Sequence, residues 1–398
     1  MVRNVVQVDP TKFPWLDLRR YTFSMAVEAR GVVYISGQTA GEYDADAGRV
    51  GCKGGLVEQT RLIYEKLGVV LEAAGLGFQN VVKTVDYLDP VALPHYRQTA
   101  AVRREYLRGP VASTGVCVQR LLRRDALIEI SAVAMTGDKR AVSQDGSNQA
   151  VTFAPAVESG DIVWLSGLVG HEDVDGQSHY PQDTRRQLEL GYQTVGGVLE
   201  AAGARPSDVV TSLDYVDPQA FLSYPDAEGV RGEFFGDMLP AATGVVVNRL
   251  LRPEGHVELE AVAVKGGERQ QIVLPEWEAQ YERANAVPGT KKGRMLHISG
   301  QSAVDHATGE SVGGFDVAAQ AEQAYRNVSQ VLAAAGYTLD DVVNTIEWVA
   351  PNGLMGYREV QEVRRRLFGR DFPSATGVMA HRFTRPETLF QVSAVAVV

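Results

Sequence analysis

Hydrophobic and polar residues follow a mixed pattern that predicts both strands and helices within about 130 residues. A strand is predicted over 32–38, and Ile63, Leu67 and Leu71 then fall on one stripe of a helix. Gly75 is placed to end that helix. Further strands are predicted at 81–88, 114–121 and 126–135, with a second helix over about 94–107. This order of elements predicts an α+β layer, with helices on one face of a sheet.

The whole pattern recurs three times along the chain. A strand that ends in Ser-Gly appears at Ser36, Ser166 and Ser299, and the spacings are 130 and 133 residues. Two further markers recur in the same order, Ala-Ala-Gly after the first helix and Thr-Gly-Val after the second. We therefore predict three copies of one domain, over residues 1–138, 139–268 and 269–398.

The three copies are expected to bury their sheets against one another. Strand segments such as 127–130 and 257–259 carry apolar residues on both faces, so an isolated copy would expose a large apolar surface. We predict closure as an intramolecular pseudo-trimer, joined by polar linkers over about 136–150 and 266–278.

Composition narrows the possible functions. Hydrophobic residues make up 45% of the chain and the formal net charge is −10, which disfavours binding to a nucleic-acid backbone. No apolar run reaches the ~18 residues that a membrane span needs. Cys52 and Cys117, with seven scattered histidines, do not form a metal-binding pattern. The expectation is a cytoplasmic protein without membrane contact, metal or cofactor.

Four motifs together resemble the reactive-intermediate deaminase superfamily, also called Rid or YjgF. They are Ser-Gly-Gln, Val-Leu-Glu-Ala-Ala-Gly, Val-Val-Lys-Thr and the final Ile-Glu-Ile before an alanine-rich strand end. The resemblance covers essentially the whole chain in three copies. It implies chorismate-mutase-like α+β subunits arranged as a trimer, with small-molecule clefts between subunits and hydrolysis of imines or enamines that releases ammonia.

The resemblance also implies a substrate-binding arginine two residues before Gly115, Gly244 and Gly377. Such a guanidinium would hold a carboxylate through a charge-assisted pair. The residues at this position are Ser113, Ala242 and Ala375. The substrate is therefore expected to be atypical, as in arginine-lacking branches of the superfamily.

A family carboxylate on the last long strand maps to Glu129 and Glu258, but to Gln391 in the third copy. Glu129 and Glu258 are our candidate catalytic residues, because a partly desolvated carboxyl group suits general acid–base chemistry. The alternative is a polar residue on the wet face of a half-buried strand.

The predicted substrate-binding residues come from the strand ends and the second helix. Phenylalanines at the cleft mouth are more often core residues than ligand contacts, the glycines can equally form strand-end turns, and the helix arginines match a cleft position of the family. The candidates are Phe23, Gly37, Arg97, Thr114, Gly115, Phe153, Gly167, Thr243, Gly244, Gly300, Arg358 and Thr376.

Arg120, Arg249 and Arg382 recur just after each Thr-Gly-Val strand. Their recurrence fits ligand contact, shared packing or a salt bridge.

The leading functional hypothesis is a cofactor-independent enzyme that hydrolyses an imine, an enamine or a related labile metabolite. The alternative is a non-catalytic protein that binds a small molecule or acts as a scaffold. Ribonuclease activity is disfavoured by the net charge of −10 and by the lack of a basic stripe. The expected partner is a small-molecule substrate, and further homo-oligomerisation stays open.

Overall fold

Each third of the chain forms a mixed sheet packed against helices, which confirms the predicted α+β class. The structure is a computed structural model, and it describes residues 3–13, 21–143 and 153–398. The three successive copies are called repeat 1, repeat 2 and repeat 3.

The strands recur in nearly the same order in each repeat. Those of repeat 1 are Arg3–Val5, Ala26–Ala29, Val32–Thr39, Gly41–Asp44, Arg49–Cys52, Val81–Leu88, Ala112–Cys117, Arg120–Leu121 and Ile128–Met135. Those of repeat 2 are Lys139–Val142, Ala156–Ser159, Ile162–Leu165, Leu168–Val169, Glu172–Val174, Gln177–His179, Val209–Val216, Ala241–Val246, Arg249–Leu250 and Val257–Val264. Those of repeat 3 are Arg269–Ile272, Gly289–Lys292, Met295–Ser302, Val304–Asp305, Glu310–Ser311, Val342–Val349, Ser374–Met379 and Phe390–Val397.

Each repeat has one long helix and a shorter second helical segment. The α-helices are Leu56–Ala73, Thr99–Tyr106, Thr184–Ala201, Tyr224–Ala227, Gly229–Phe235, Glu278–Arg283, Val317–Ala334 and Val360–Phe368. The 3₁₀ segments are Pro10–Lys12, Phe78–Asn80, Pro90–Gln98, Pro206–Asp208, Pro218–Ala220, Pro275–Trp277, Leu339–Asp341 and Pro351–Glu359.

The long helix ends where the sequence predicts. In repeat 1 its buried stripe packs on the sheet, and Gly75 follows with φ of +71°. The backbone N–H of Leu76 donates to the carbonyl of Leu71 at 2.8 Å, which closes a Schellman motif that requires this left-handed residue. Gly203 and Gly336 also have positive φ after the corresponding helices.

The sheet of each repeat leaves one strand edge to be covered by a neighbour. In repeat 1, Ala112–Cys117 pairs in parallel with Val81–Leu88 and forms the last strand of the repeat's own sheet. Arg249–Leu250 of repeat 2 pairs antiparallel with its other edge. Arg120–Leu121 of repeat 1 pairs in the same way with Ser374–Met379 of repeat 3. Each sheet edge is therefore completed by residues from another copy.

Three backbone hydrogen bonds run in one direction through all three repeats. The N–H of Gln119 donates to repeat 3 at 3.0 Å, that of Asn248 donates to repeat 1 at 2.9 Å, and that of His381 donates to repeat 2 at 2.8 Å. The Gln119 side-chain oxygen also accepts from Asn248 Nδ2 at 2.9 Å and lies 2.8 Å from His381 Nδ1. Each repeat thus contacts both of the others.

Equivalent aromatic residues from the three repeats meet in the centre. Tyr87, Tyr215 and Trp348 are fully buried. The Trp348 ring lies 5.9 Å from the Tyr87 ring and 6.1 Å from the Tyr215 ring, both in edge-to-face arrangements. Such pairs add to the free energy gained from apolar burial.

The predicted linkers include sheet strands. Lys139–Val142 pairs with Ala156–Ser159, and Arg269–Ile272 pairs with Gly289–Lys292, so each lies at an edge of the following repeat's sheet. Residues 144–150 of the first predicted linker lie outside the described residues. The sequence pattern missed these edge strands because a strand with one exposed face contains many polar residues.

Two other boundaries differ from the prediction. The second helix begins as the 3₁₀ segment Pro90–Gln98 and becomes α-helical at Thr99, because Pro94 has no N–H to donate. The predicted strand 114–121 is two strands, and its second part pairs with another repeat.

We predict that Trp348→Ala lowers the free energy of unfolding by about 3–5 kcal/mol, because it opens a cavity where the three repeats meet. Urea unfolding followed by circular dichroism measures the change. Leu222→Ala is the control, since Leu222 is 86% exposed and should change stability by less than about 0.5 kcal/mol. Equal unfolding midpoints for the two variants would contradict the importance of the central aromatic contact.

Candidate functional site

Three seams separate the repeats, and each has the same frame. We call them the 1–2 seam, the 2–3 seam and the 3–1 seam. One end of each is an isolated bridge between two repeats, namely Ala112 with Ala154, Ala241 with Val287, and Ser24 with Ser374. The other end is the strand or bridge that the next repeat adds. The three-residue windows 113–115, 242–244 and 375–377 lie between these ends.

A serine hydroxyl links the two repeats at each seam. Ser36 Oγ donates to the Ser24 carbonyl at 2.6 Å and accepts from the backbone N–H of Ala375 at 2.8 Å. Equivalent pairs of bonds join Ser166 to Ala154 and Ser113, and Ser299 to Val287 and Ala242. The recurring serine of the Ser-Gly motif is therefore a structural link between copies.

The glycine after each serine lies against the candidate catalytic position. A methyl group built on Gly37 would lie 2.1 Å from Glu129 Oε1, and one built on Gly167 would lie 1.8 Å from Glu258 Oε1. Any side chain would displace the carboxyl group, so glycine is required for this approach.

A threonine from the neighbouring repeat completes this group at each seam. The N–H of Gly37 donates to Thr376 Oγ1 at 3.1 Å, and the Thr114 methyl carbon would lie 2.9 Å from a methyl group on Gly167. The structure thus brings together Gly37, Glu129 and Thr376 at the 3–1 seam, and Gly167, Glu258 and Thr114 at the 1–2 seam.

Burial changes the acidity of both carboxyl groups. Glu129 and Glu258 are each 7% exposed, and neither carboxyl group has a hydrogen-bond partner within the described part of the chain. Desolvation raises the pKa of each to about 8, against opposing attraction from Arg123 for Glu129. For Glu258 the nearby Glu260 raises the pKa further, while Lys83 and Arg252 lower it. Both groups can exchange a proton near neutral pH.

The 2–3 seam keeps the frame but lacks the acid. The N–H of Gly300 donates to Thr243 Oγ1 at 2.9 Å. A methyl group on Gly300 would lie 2.9 Å from the side-chain amide of Gln391. An amide cannot take up a proton at neutral pH, so this seam has no equivalent acid or base.

The 1–2 seam contains a buried lysine at a position where repeats 2 and 3 have other residues. Lys83 Nζ donates to Thr114 Oγ1 at 2.8 Å and to the Leu165 carbonyl of repeat 2 at 2.6 Å, and it lies 3.2 Å from Glu260 Oε2. Burial lowers its pKa, although Glu260 and Glu258 oppose that shift. The corresponding residues are Thr211 and Asn344.

A buried acid–tyrosine–arginine network lies behind the window at each seam. In repeat 1, Tyr96 OH donates to Asp86 at 2.8 Å and Arg103 Nη1 donates to the same carboxylate at 2.7 Å. The equivalent groups are Asp214, Tyr224 and Arg231 in repeat 2, and Glu347, Tyr357 and Arg364 in repeat 3. All three ion pairs are nearly inaccessible to solvent.

These networks border the glycines of the Thr-Gly-Val strands. The tyrosine hydroxyl is 3.1 Å from a methyl group built on Gly115 or Gly244 and 2.7 Å from one built on Gly377. Arg103 Nη2 also donates at 2.8 Å to the hydroxyl of Ser113, the position of the absent family arginine. Because Asp86 already pairs with Arg103, this guanidinium is not a free anchor for a carboxylate.

Leucines from the neighbouring repeat narrow two of the windows. A methyl group on Gly115 would lie 2.6 Å from Leu251, and one on Gly377 would lie 2.9 Å from Leu122. At the 2–3 seam the corresponding residue is Thr384, and the nearest atoms to Gly244 all belong to Tyr224.

Four predicted binding residues lie away from the groups that surround Glu129 and Glu258. Arg97 and Arg358 are exposed on the 3₁₀ segments, next to the tyrosines that face the glycines. Phe23 is half-buried beside Tyr21, with ring centroids 5.5 Å apart, and Phe153 is 43% exposed. Their roles in ligand binding stay predictions.

The sequence interpretation missed Lys83 and the acid–tyrosine–arginine networks. Lys83 was visible within the Val-Val-Lys-Thr motif, but its side chain crosses to another repeat. Arg103, Arg231 and Arg364 recur at one position of the second helix. This recurrence in three copies is the sequence signal that could have indicated the networks.

Within the described ranges, no helix is long and apolar enough to cross a membrane. No group of three or more potential metal ligands occurs among those same residues.

Comparisons with known proteins agree with the repeat pattern. The family model described as Endoribonuclease L-PSP matches residues 18–136, 146–265 and 276–398. A 2-iminobutanoate/2-iminopropanoate deaminase of Mus musculus is 31% identical over 115 residues, covering 29% of this chain and 82% of that protein. A RutC family protein of Pyrococcus horikoshii is 32% identical over 106 residues, covering 27% of this chain and 81% of that protein.

The solved structures similar to this chain include one that matches a third of its length and one that matches most of it. A YjgF/YER057c/UK114 family member from Mycobacterium tuberculosis is 26% identical, covers 33% of this chain and all of that chain, and has a TM-score of 0.29. A chorismatase is 15% identical, and the match covers 80% of this chain and 93% of that chain with a TM-score of 0.48.

The three successive matches of one family model extend over most of the 398 residues. The chain therefore belongs to the Endoribonuclease L-PSP family, the Rid/YjgF group, as three tandem copies of its domain.

Proposed function

We propose that this chain is a cofactor-independent enzyme that hydrolyses an imine, an enamine or a related labile intermediate at two seams of an intramolecular pseudo-trimer. The observation that carries the proposal is a buried carboxyl group with a pKa near 8 beside a glycine backbone, at the 1–2 and 3–1 seams. Relatives named 2-iminobutanoate/2-iminopropanoate deaminase support this reaction class.

In the proposed reaction, Glu258 or Glu129 takes a proton from a water molecule as the water oxygen adds to the imine carbon. The carbon–nitrogen double bond becomes a single bond, and its electron pair moves to nitrogen. The resulting carboxylic acid then protonates that nitrogen, which gives a carbinolamine. The carboxylate next takes the hydroxyl proton and passes it to the nitrogen, so that the carbon–nitrogen bond breaks and ammonia leaves as the carbonyl forms. A pKa near neutrality serves both steps, because the same group must accept and donate a proton.

The substrate is proposed to lack the carboxylate of ordinary 2-imino acids. Ser113, Ala242 and Ala375 cannot anchor one, and Arg103 is neutralised by Asp86. Leu251 and Leu122 give the two windows an apolar wall instead. A small, largely uncharged imine fits these surroundings.

The second candidate is a non-catalytic binding or scaffold protein. It is favoured by the close contact of Leu251 and Leu122 with Gly115 and Gly377, which leaves these windows narrow.

We expect the double variant Glu129→Gln/Glu258→Gln to lose about 10²–10⁴-fold in ammonia release, because it removes both acid–base groups. Each single variant should lose the part of the ammonia release that its own seam contributes. The assay supplies freshly generated neutral imines and measures ammonia with glutamate dehydrogenase. Glu72→Gln, at an exposed position of the first long helix, is the control. An undiminished rate in the double variant would favour a different reaction or the binding role.

Gln391→Glu should restore measurable ammonia release in that double variant. The substitution gives the 2–3 seam the carboxyl group that the other two seams have, next to Gly300 and Thr243. The same assay measures the effect, with Gln391→Asn as the control that adds no acid. A folded triple variant without activity would show that the 2–3 seam lacks more than its carboxylate.

The two glutamates should also make stability depend on pH. Their pKa values rise from an ordinary 4.5 to about 8, so the folded protein holds protons that the unfolded chain releases between those limits. Stability from this source is complete below about pH 4.5 and falls as pH rises towards about 8.

The Glu129→Gln/Glu258→Gln variant should therefore match the wild type at about pH 4.5 and exceed it by at least about 1 kcal/mol at about pH 9, since one pKa unit corresponds to about 1.4 kcal/mol. Urea unfolding across this pH range measures the difference. Parallel stability curves for the two proteins would contradict the raised pKa values.

A further inference from the structure

An open surface cavity of about 380 Å³ lies in repeat 3, at the end of the 2–3 seam where Arg382 bridges to repeat 2. Its volume falls within the range of small-molecule sites. Ala350, Pro351, Phe383 and Pro386 form apolar walls, and Asn352 and Arg382 add polar groups. The cavity adjoins the place where the three repeats meet, because His381 also lines it.

The guanidinium of Arg382 is held in place without an anionic partner. Its central carbon lies 3.9 Å from the ring centroid of Phe221 in repeat 2, a close cation–π contact. Among the described residues, the Arg382 side chain makes no hydrogen bond and no ion pair. Its N–H donors are therefore free to bind a ligand.

Repeat 3 differs from the other repeats at this place. Asp89 and Asp217 occupy the position of Ala350, and each caps the following 3₁₀ segment by accepting from a backbone N–H, at 3.2 and 3.1 Å. The corresponding segment after Ala350 has no side-chain cap. The replacement removes a carboxylate that would repel an anion near Arg382.

The other lining groups add no negative charge beside Arg382. The lining residues include no aspartate or glutamate. His381 is close to neutral at pH 7, since burial, with Arg382 nearby, lowers its pKa from an ordinary 6.5 against an opposing effect of Asp217. The surroundings thus combine one guanidinium with apolar walls.

We propose that this cavity binds a small organic carboxylate, with its carboxylate on Arg382 and its apolar body against Pro351 and Phe383. A charged group paired with Arg and an apolar body in a cavity are the usual elements of small-ligand recognition. The cavity does not include Glu129 or Glu258, so the proposal does not depend on the proposed reaction.

Benzoate is the probe, with its neutral isostere benzamide and inorganic phosphate as comparisons. Binding to the full chain is measured by ligand-observed NMR titration. We expect saturable benzoate binding that weakens at least about tenfold in Arg382→Gln, because the substitution removes a charge-assisted pair. Arg249→Gln, the equivalent arginine beside repeat 1, is the control and should bind as the wild type does.

Two substitutions at one residue separate charge from volume. Ala350→Asp and Ala350→Asn both add a side chain that can cap the 3₁₀ segment, as Asp89 and Asp217 do. Benzoate binding should be lost in Ala350→Asp and weakened much less in Ala350→Asn.

The proposal is overturned if benzoate does not bind the wild type saturably. It is also overturned if Arg382→Gln and Ala350→Asp bind benzoate as the wild type does, or if benzamide binds equally well. Phosphate binding that displaces benzoate with higher affinity would overturn the choice of an organic carboxylate. Circular dichroism confirms that each variant is folded before it is compared.

Discussion

A β-strand with an unpaired edge must find hydrogen-bond partners, and each repeat of this chain meets that need with residues of another repeat. The edges of Ala112–Cys117 and Ser374–Met379 are covered by short strands from the neighbouring copies, and Ala241–Val246 is bridged by Arg382. The pairing is interrupted in the middle of each strand. The three-residue windows left there contribute the threonines that face Gly37, Gly167 and Gly300, and these glycines lie against Glu129, Glu258 and Gln391.

One frame can carry different chemistry because the three copies belong to one chain and diverge independently. The backbone frame needs the serine link and the glycine beside it, and both occur in all three repeats. Side chains that are not part of this backbone frame differ from one repeat to another. The acid is Glu129 or Glu258 at two seams and is replaced by Gln391 at the third. Two seams thus have a buried carboxyl group beside the glycine, and the third has an amide.

Local patterns were enough to predict the repeats, the strand Val81–Leu88 and the helix end at Gly75, because these features depend on nearby residues. The resemblance to the family led to Glu129 and Glu258, and the structure places both against the glycines also predicted for the site.

Features that depend on contacts between copies were not predicted. The strand Arg120–Leu121 is two residues long and pairs with repeat 3, so no local periodicity marks it. Lys83 donates to a carbonyl of repeat 2, and Leu251 reaches Gly115 from the other side of a seam. The pairing direction of the copies decides these contacts, and a single sequence does not encode that direction in any short segment.

The proposed chemistry depends on two buried carboxyl groups at the seams that exchange protons near neutral pH. Carbon-13 NMR of the glutamate side-chain carboxyl signals tests this most directly, with Glu129→Gln and Glu258→Gln used to assign the resonances. We expect two signals that titrate near pH 8, one of which disappears in each variant. If instead every glutamate signal titrates close to the ordinary value of about 4.3, proton exchange by these groups near neutral pH is contradicted.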